Sequence, residues 1–240
     1  MDLLSFVGLA VGGLAAGALS TVTGMGGGIA LVAVLSLFVG PHVALATTAP
    51  ALLIGNLHRS ARHRKHIDKT VAKQFVIGAL PGALVGGFLS VAMPETLLAI
   101  LLVLVNVLAL ARTYGYLELR PKPQWMVPVA FGAGTVAATS GAGVMVAPLL
   151  VAGGLSGEAL IATASFIAIV LHLGRLAGYG LSGLLGGAAL GTSLVLAIFL
   201  VSGNHLGEHV RAQLGPERCE RATRVTLFVA LALALVGLIT

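Results

Sequence analysis

In this chain of 240 residues, 58% are hydrophobic and only 9% are Asp, Glu, Lys or Arg, at a mean hydropathy of +1.04; that composition cannot build a water-soluble surface and calls for an integral membrane protein. The formal net charge of +6, from 14 Lys and Arg against 8 Asp and Glu, would suggest nucleic acid in a soluble protein. Here the charges fall between apolar segments with no base-reading module, which excludes nucleic acid and leaves the positive-inside distribution of a polytopic protein. The single Cys219 excludes an internal disulfide and a multi-cysteine metal centre.

The chain starts on an apolar stretch with no Lys or Arg before it, so the first segment is expected to be retained rather than cleaved as a signal. In chain order the apolar segments lie at 3–23, 26–39, 43–57, 71–92, 96–111, 127–139, 143–155, 159–173, 184–201 and 223–239. A bilayer core of about 30 Å asks for about 20 helical residues. Several of these segments have about 14 and predict half-spans or broken helices. The expected fold is therefore an all-α integral membrane protein with about 8–10 transmembrane or half-spanning helices.

Basic residues gather in three connections: 58–73, with Arg59, Arg62, Arg64, Lys65, Lys69 and Lys73; 112–122, with Arg112, Arg120 and Lys122; and 205–224, with Arg211, Arg218, Arg221 and Arg224. The turn at Met93, Pro94 and Glu95 and the stretch 178–183 contain none. All three basic connections fall on one side if both termini lie on the other. That side is expected to be the cytoplasmic face of the cell's inner membrane.

Setting residues 1–115 against 116–240 at a constant offset of 115 aligns Gly26 with Gly141, Gly28 with Gly143, Leu45 with Leu160, Thr48 with Thr163 and Ile54 with Ile169. The offset also carries a basic connection onto a bare one and the reverse. With five segments per half, the second half is expected to sit upside down, as one transmembrane domain of two inverted repeats, the plan of many secondary transporters.

Two constellations carry chemistry. The first is the pair of glycine clusters, Thr23, Gly24, Met25, Gly26, Gly27 and Gly28 in one half and Thr139, Ser140, Gly141, Ala142 and Gly143 in the other. Glycines in a row break a helix, and a broken helix inside a membrane is tolerated where it is buried in protein or lines a wet cavity. A helix restarting after the break presents free N–H groups and the positive end of its dipole, which favour an anion. The clusters lack a following Gly-Lys-Ser or Gly-Lys-Thr, so a nucleotide-phosphate loop is not expected. The second constellation is the polar content of the third segment of each half: Thr47, Thr48 and Asn56, and Thr163, Ser165 and His172, with Arg175 on the face of His172. Paired carboxylates, a Ser-His-Asp set and a His-Glu metal motif are missing from the spans, so neither an enzyme, a metal nor a cofactor is expected.

These motifs resemble the TauE/SafE family of membrane permeases, with a duplicated Gly-rich segment, an apolar run often holding Val-Pro-Leu, and an Ala-Thr-Ser type segment. The first copy reads Thr23 to Gly28, then Leu31, Val32, Ala33 and Val34, then Ala46, Thr47 and Thr48. The second reads Ser140 to Gly143, then Val146, Ala147, Pro148 and Leu149, then Ala162, Thr163, Ala164 and Ser165. Ala33 replaces the first proline and Ala142 interrupts the second glycine run. The resemblance implies secondary transport of a small sulfur-containing anion, sulfite or an organosulfonate, across a cytoplasmic membrane by alternating access. The partners expected are that anion and the lipid bilayer, with room for a homo-oligomer. A drug/metabolite-type permease and a non-transporting membrane scaffold are the alternatives.

Overall fold

Each apolar segment folds as a helix. The computed structural model describes residues 3–24, 26–116, 122–141, 143 and 145–239, leaving Met25, Arg120 and Ala142 outside the described residues. The helices are α1 (Leu3–Thr23), α2 (Gly27–Val39), α3 (Pro41–Arg62), α4 (Lys69–Ala92), α5 (Glu95–Thr113), α6 (Met126–Ser140), α7 (Val146–Ala152), α8 (Gly157–Leu181), α9 (Gly187–Gln213) and α10 (Pro216–Ile239). Among the described residues there is no strand, and 6 helices are long and apolar enough to cross a membrane. The protein is an all-α, multi-pass integral membrane protein.

Several helices outrun their apolar segments. Helix α3 continues to Arg62 rather than ending near 57, α8 to Leu181, and α9 to Gln213, while α10 starts at Pro216 instead of near 223. Hydropathy marks the lipid-facing core of a helix, whereas polar residues of good helix propensity extend it beyond the apolar run. Proline at the first position of α3 and α10 suits a helix start, since its missing N–H has no intrahelical partner there. Asp68 caps α4 by accepting hydrogen bonds from the backbone N–H groups of Thr70 and Val71, both at 3.0 Å.

Glycines set the packing, because in lipid close backbone approach replaces the hydrophobic effect as the source of helix association. A Cβ on Gly78, Gly82 or Gly86 of α4 would overlap the backbone carbonyl of Val127, Phe131 or Thr135 of α6. On the other side, a Cβ on Gly17 of α1 would overlap the Leu200 carbonyl of α9, and one on Gly203 of α9 would overlap that of Leu14. Residue numbers rise together along both seams, so α4 runs parallel to α6 and α1 parallel to α9. Side-chain bonds show α3 parallel to α9, with Ser193 donating to the Thr47 carbonyl at 2.7 Å and Asn204 to that of Gly55 at 3.0 Å. Helix α4 is likewise parallel to α8, where the Asp68 N–H donates to the Thr163 hydroxyl at 3.0 Å.

Helices α3 and α8 run antiparallel: Arg175 reaches the Leu45 carbonyl at one end, and His63 approaches Glu158 at the other. Thus α1, α3 and α9 point one way, and α4, α6 and α8 the other. Each of α1, α3 and α4 opposes the helix five places later in the chain. Helix α2 doubles back on α1, since a Cβ on Gly27 would overlap the Ala16 carbonyl while Gly12 faces Leu31 further along.

At the end where α3 and α9 finish and α8 begins, His66 Nε2 lies 2.9 Å from a Glu158 carboxylate oxygen, His63 Nε2 lies 3.7 Å from Glu208, and Arg62 Nε lies 3.6 Å from Glu208. His58, Arg64 and Lys65 line the same depression as His63, His66 and Glu158.

Candidate functional site

The backbone reverses at the two breaks through left-handed glycines: Gly24 at φ 72° and Gly26 at φ 100° between α1 and α2, and Gly141 at φ 74° after α6. Such angles are strained for any residue with a Cβ. Gly26 stands at the cap position of α2 and, having no side chain, supplies no acceptor to the first N–H groups of that helix.

Both breaks open on one cavity of about 80 Å³, a few water molecules' worth of space. Around it stand Ser20 of α1, Gly24, Gly26, Gly28 and Ile29 of the first break, and Gly141, Gly143, Val146 and Ala147 of the second. Helix α3 contributes Leu52, Asn56 and Arg59, and α8 contributes Ala164, Ser165, Ala168 and His172. No Asp or Glu is among the described lining residues.

Arg59 dominates the electrostatics. It is only 9% exposed, and its Nη2 donates to Asn56 Oδ1 at 2.6 Å. Asn56 is itself aimed by donating Nδ2 to the Leu52 carbonyl at 2.7 Å. The Nε and Nη1 atoms of Arg59 have no hydrogen-bond partner, so at least three of the five guanidinium N–H donors are unused. An unpaired buried charge costs several kcal/mol, and a charge-assisted hydrogen bond to an anion offsets that cost.

Eight of the residues singled out from the sequence meet here: Gly24, Gly26, Gly28, Asn56, Gly141, Gly143, Ser165 and His172. The others do not line the cavity. Gly27 is pressed against α1. The Thr23 hydroxyl donates to the Leu19 carbonyl at 2.7 Å, that of Thr48 to Ala44 at 2.7 Å, and that of Ser140 to Val136 at 2.7 Å, each within its own helix. Thr47 is buried, with its carbonyl accepting from Ser193, while Thr163 braces the start of α4. Arg175 is 1% exposed and bonded to the Leu45 carbonyl at 3.0 Å and the Tyr179 hydroxyl at 3.3 Å.

Arg59 and Ser20 escaped the sequence reading. Arg59 sits beside Arg62, Arg64 and Lys65 and looks like one more orientation charge. Its signal was its spacing: Asn56 and Arg59 lie three apart, as His172 and Arg175 do.

The Thr48 hydroxyl bonds inside its helix, so Thr48→Val is expected to leave anion flux in reconstituted vesicles within about twofold of wild type and to cost about 1 kcal/mol of stability. A tenfold loss of flux with unchanged thermal unfolding would place the hydroxyl on the anion's path.

A family model described as sulfite exporter TauE/SafE matches residues 9–237 of the chain. No curated protein and no solved structure matches it.

Proposed function

Because the chain belongs to the sulfite exporter TauE/SafE family, a family of membrane transporters for sulfur anions, we propose that it carries sulfite or a small organosulfonate across the inner membrane by alternating access. The observation that carries this reading is a buried, incompletely hydrogen-bonded Arg59 on a cavity with no carboxylate among its described lining residues. The anion's oxygens accept from Arg59 Nε and Nη1, and Ser165, Ser20 and the start of α2 replace the rest of its hydration shell. The small cavity favours an anion of a few heavy atoms over a bulky drug or metabolite. A scaffold would have no use for an unpaired buried guanidinium.

The two halves, 1–115 and 116–240, act as inverted repeats. The opposed directions of α1 and α6, α3 and α8, and α4 and α9 support this, and rocking of one half against the other opens the cavity to each face in turn. The basic end, with His58 to Lys73, faces the cytoplasm.

The test is release of labelled sulfite from proteoliposomes holding the purified protein, against empty vesicles, with and without an imposed pH gradient. Saturable, protein-dependent release is expected. Absence of release for sulfite and for a panel of organosulfonates, with insertion verified, would overturn the reading.

A further inference from the structure

The cavity is assembled from matched positions of the two halves. At an offset of 115, Gly26 pairs with Gly141 and Gly28 with Gly143, and all four line it. At an offset of 116, Leu52 of α3 pairs with Ala168 of α8 and Asn56 with His172, and again all four line it. The same register pairs Arg59 with Arg175.

These two arginines stand in equivalent places and in opposite states. Arg59 lines the cavity and carries two buried nitrogens without a hydrogen-bond partner. Arg175 has every nitrogen engaged: Nη2 donates across to the Leu45 carbonyl of α3 at 3.0 Å, Nε donates to Tyr179 at 3.3 Å, and Nη1 lies 3.5 Å from His172 Nδ1. The guanidinium is nevertheless close to the cavity. A Cβ added to Gly141, a lining residue, would lie 3.3 Å from Arg175 Nη2, so the backbone of the second break is what screens this charge. None of its partners is a carboxylate. A carbonyl, a phenol and an imidazole bind a guanidinium more weakly than an anion does, and the Leu45 carbonyl also takes a hydrogen bond from Thr48 at 3.3 Å. Such a latch is exchangeable.

We infer that Arg59 and Arg175 alternate as the charge that holds the anion. In the conformation described, Arg59 faces the anion while Arg175 is latched to α3. In the oppositely open conformation the second break moves aside, Arg175 enters the cavity, and Arg59 latches across to α8 at the carbonyls matching Leu45, those of Leu160 and Ile161. Antiparallel packing of α3 on α8 makes the exchange reciprocal, because a slide that brings one arginine to the cavity withdraws the other. The inference rests on the alternating-access reading above.

The experiment uses full-length protein reconstituted in one orientation, verified by protease accessibility, and measures the concentration dependence of sulfite uptake from each face. Arg59→Lys should raise the half-saturation concentration about tenfold at one face, since lysine keeps the charge but loses the planar donor set. Arg175→Lys should raise it by a similar factor at the other face only. A shift at the same face for both variants, or an equal fall in maximal rate from both faces with half-saturation unchanged for Arg175→Lys, overturns the exchange.

Should Arg175→Lys not insert, Tyr179→Phe decides. It removes one latch contact and should lower half-saturation severalfold at the Arg175 face; no change at either face overturns the proposal. Wild-type protein without saturable flux would instead refute the transport function itself.

Discussion

Arg59→Gln should abolish anion transport and make the empty protein more stable. Removing the one partner of a buried charge costs about 3–5 kcal/mol, so anion flux should fall at least a hundredfold. The unliganded protein responds in the other direction. Arg59 carries two buried nitrogens without partners, and replacing an uncompensated buried charge by a neutral side chain of similar length should stabilise by about 1–3 kcal/mol. Flux in proteoliposomes together with thermal unfolding in detergent checks both parts. A variant that loses flux and unfolds at lower temperature would make Arg59 a structural residue and sink its role in binding.

Gly82→Ala is the substitution expected to do most damage to the fold. Its methyl group would overlap the Phe131 carbonyl, and backbone cannot rotate away as a side chain can. Helices α4 and α6 must separate, losing dispersion contacts along a seam that Gly78, Gly82, Gly86 and Gly134 keep tight. A loss of about 3 kcal/mol is expected, read as a lower unfolding midpoint in detergent. Gly132→Ala on α6 is the control, because a Cβ there meets nothing within 4 Å. Helix propensity alone then acts, and it should stabilise by up to about 1 kcal/mol. Equal destabilisation by both substitutions would refute the close-packed seam.

Lipid-soluble segments announce themselves by hydropathy, and the ten helices follow the ten apolar runs because a bilayer accepts no unpaired backbone. Gly24, Gly26 and Gly141 were legible for a related reason, since a membrane helix seldom carries such clusters without breaking. What hydropathy hid were the polar ends of helices, and Arg59 with them: one buried arginine among exposed ones has the same letter as its neighbours. The ungapped offset of 115 hid the pairing of Asn56 with His172, which stand 116 apart. Hydroxyl placement was not legible either. Whether Thr48 faces a cavity or its own turn depends on helix rotation, which the neighbouring helices decide.

The seam between α1 and α9 bears on how the protein is made. Thr21 of α1 donates to Asn204 of α9 across 183 residues of chain, and Gly17 of α1 packs against the Leu200 backbone of the same helix. At about 5–20 residues per second, a ribosome needs roughly 10–40 seconds after releasing α1 to deliver its partner. During that interval α1 must wait in the membrane or beside the insertion machinery with its polar notch unfilled. Chains truncated before α9 should therefore be early substrates for membrane quality control, and the α1–α9 seam closes only when nearly the whole chain has emerged.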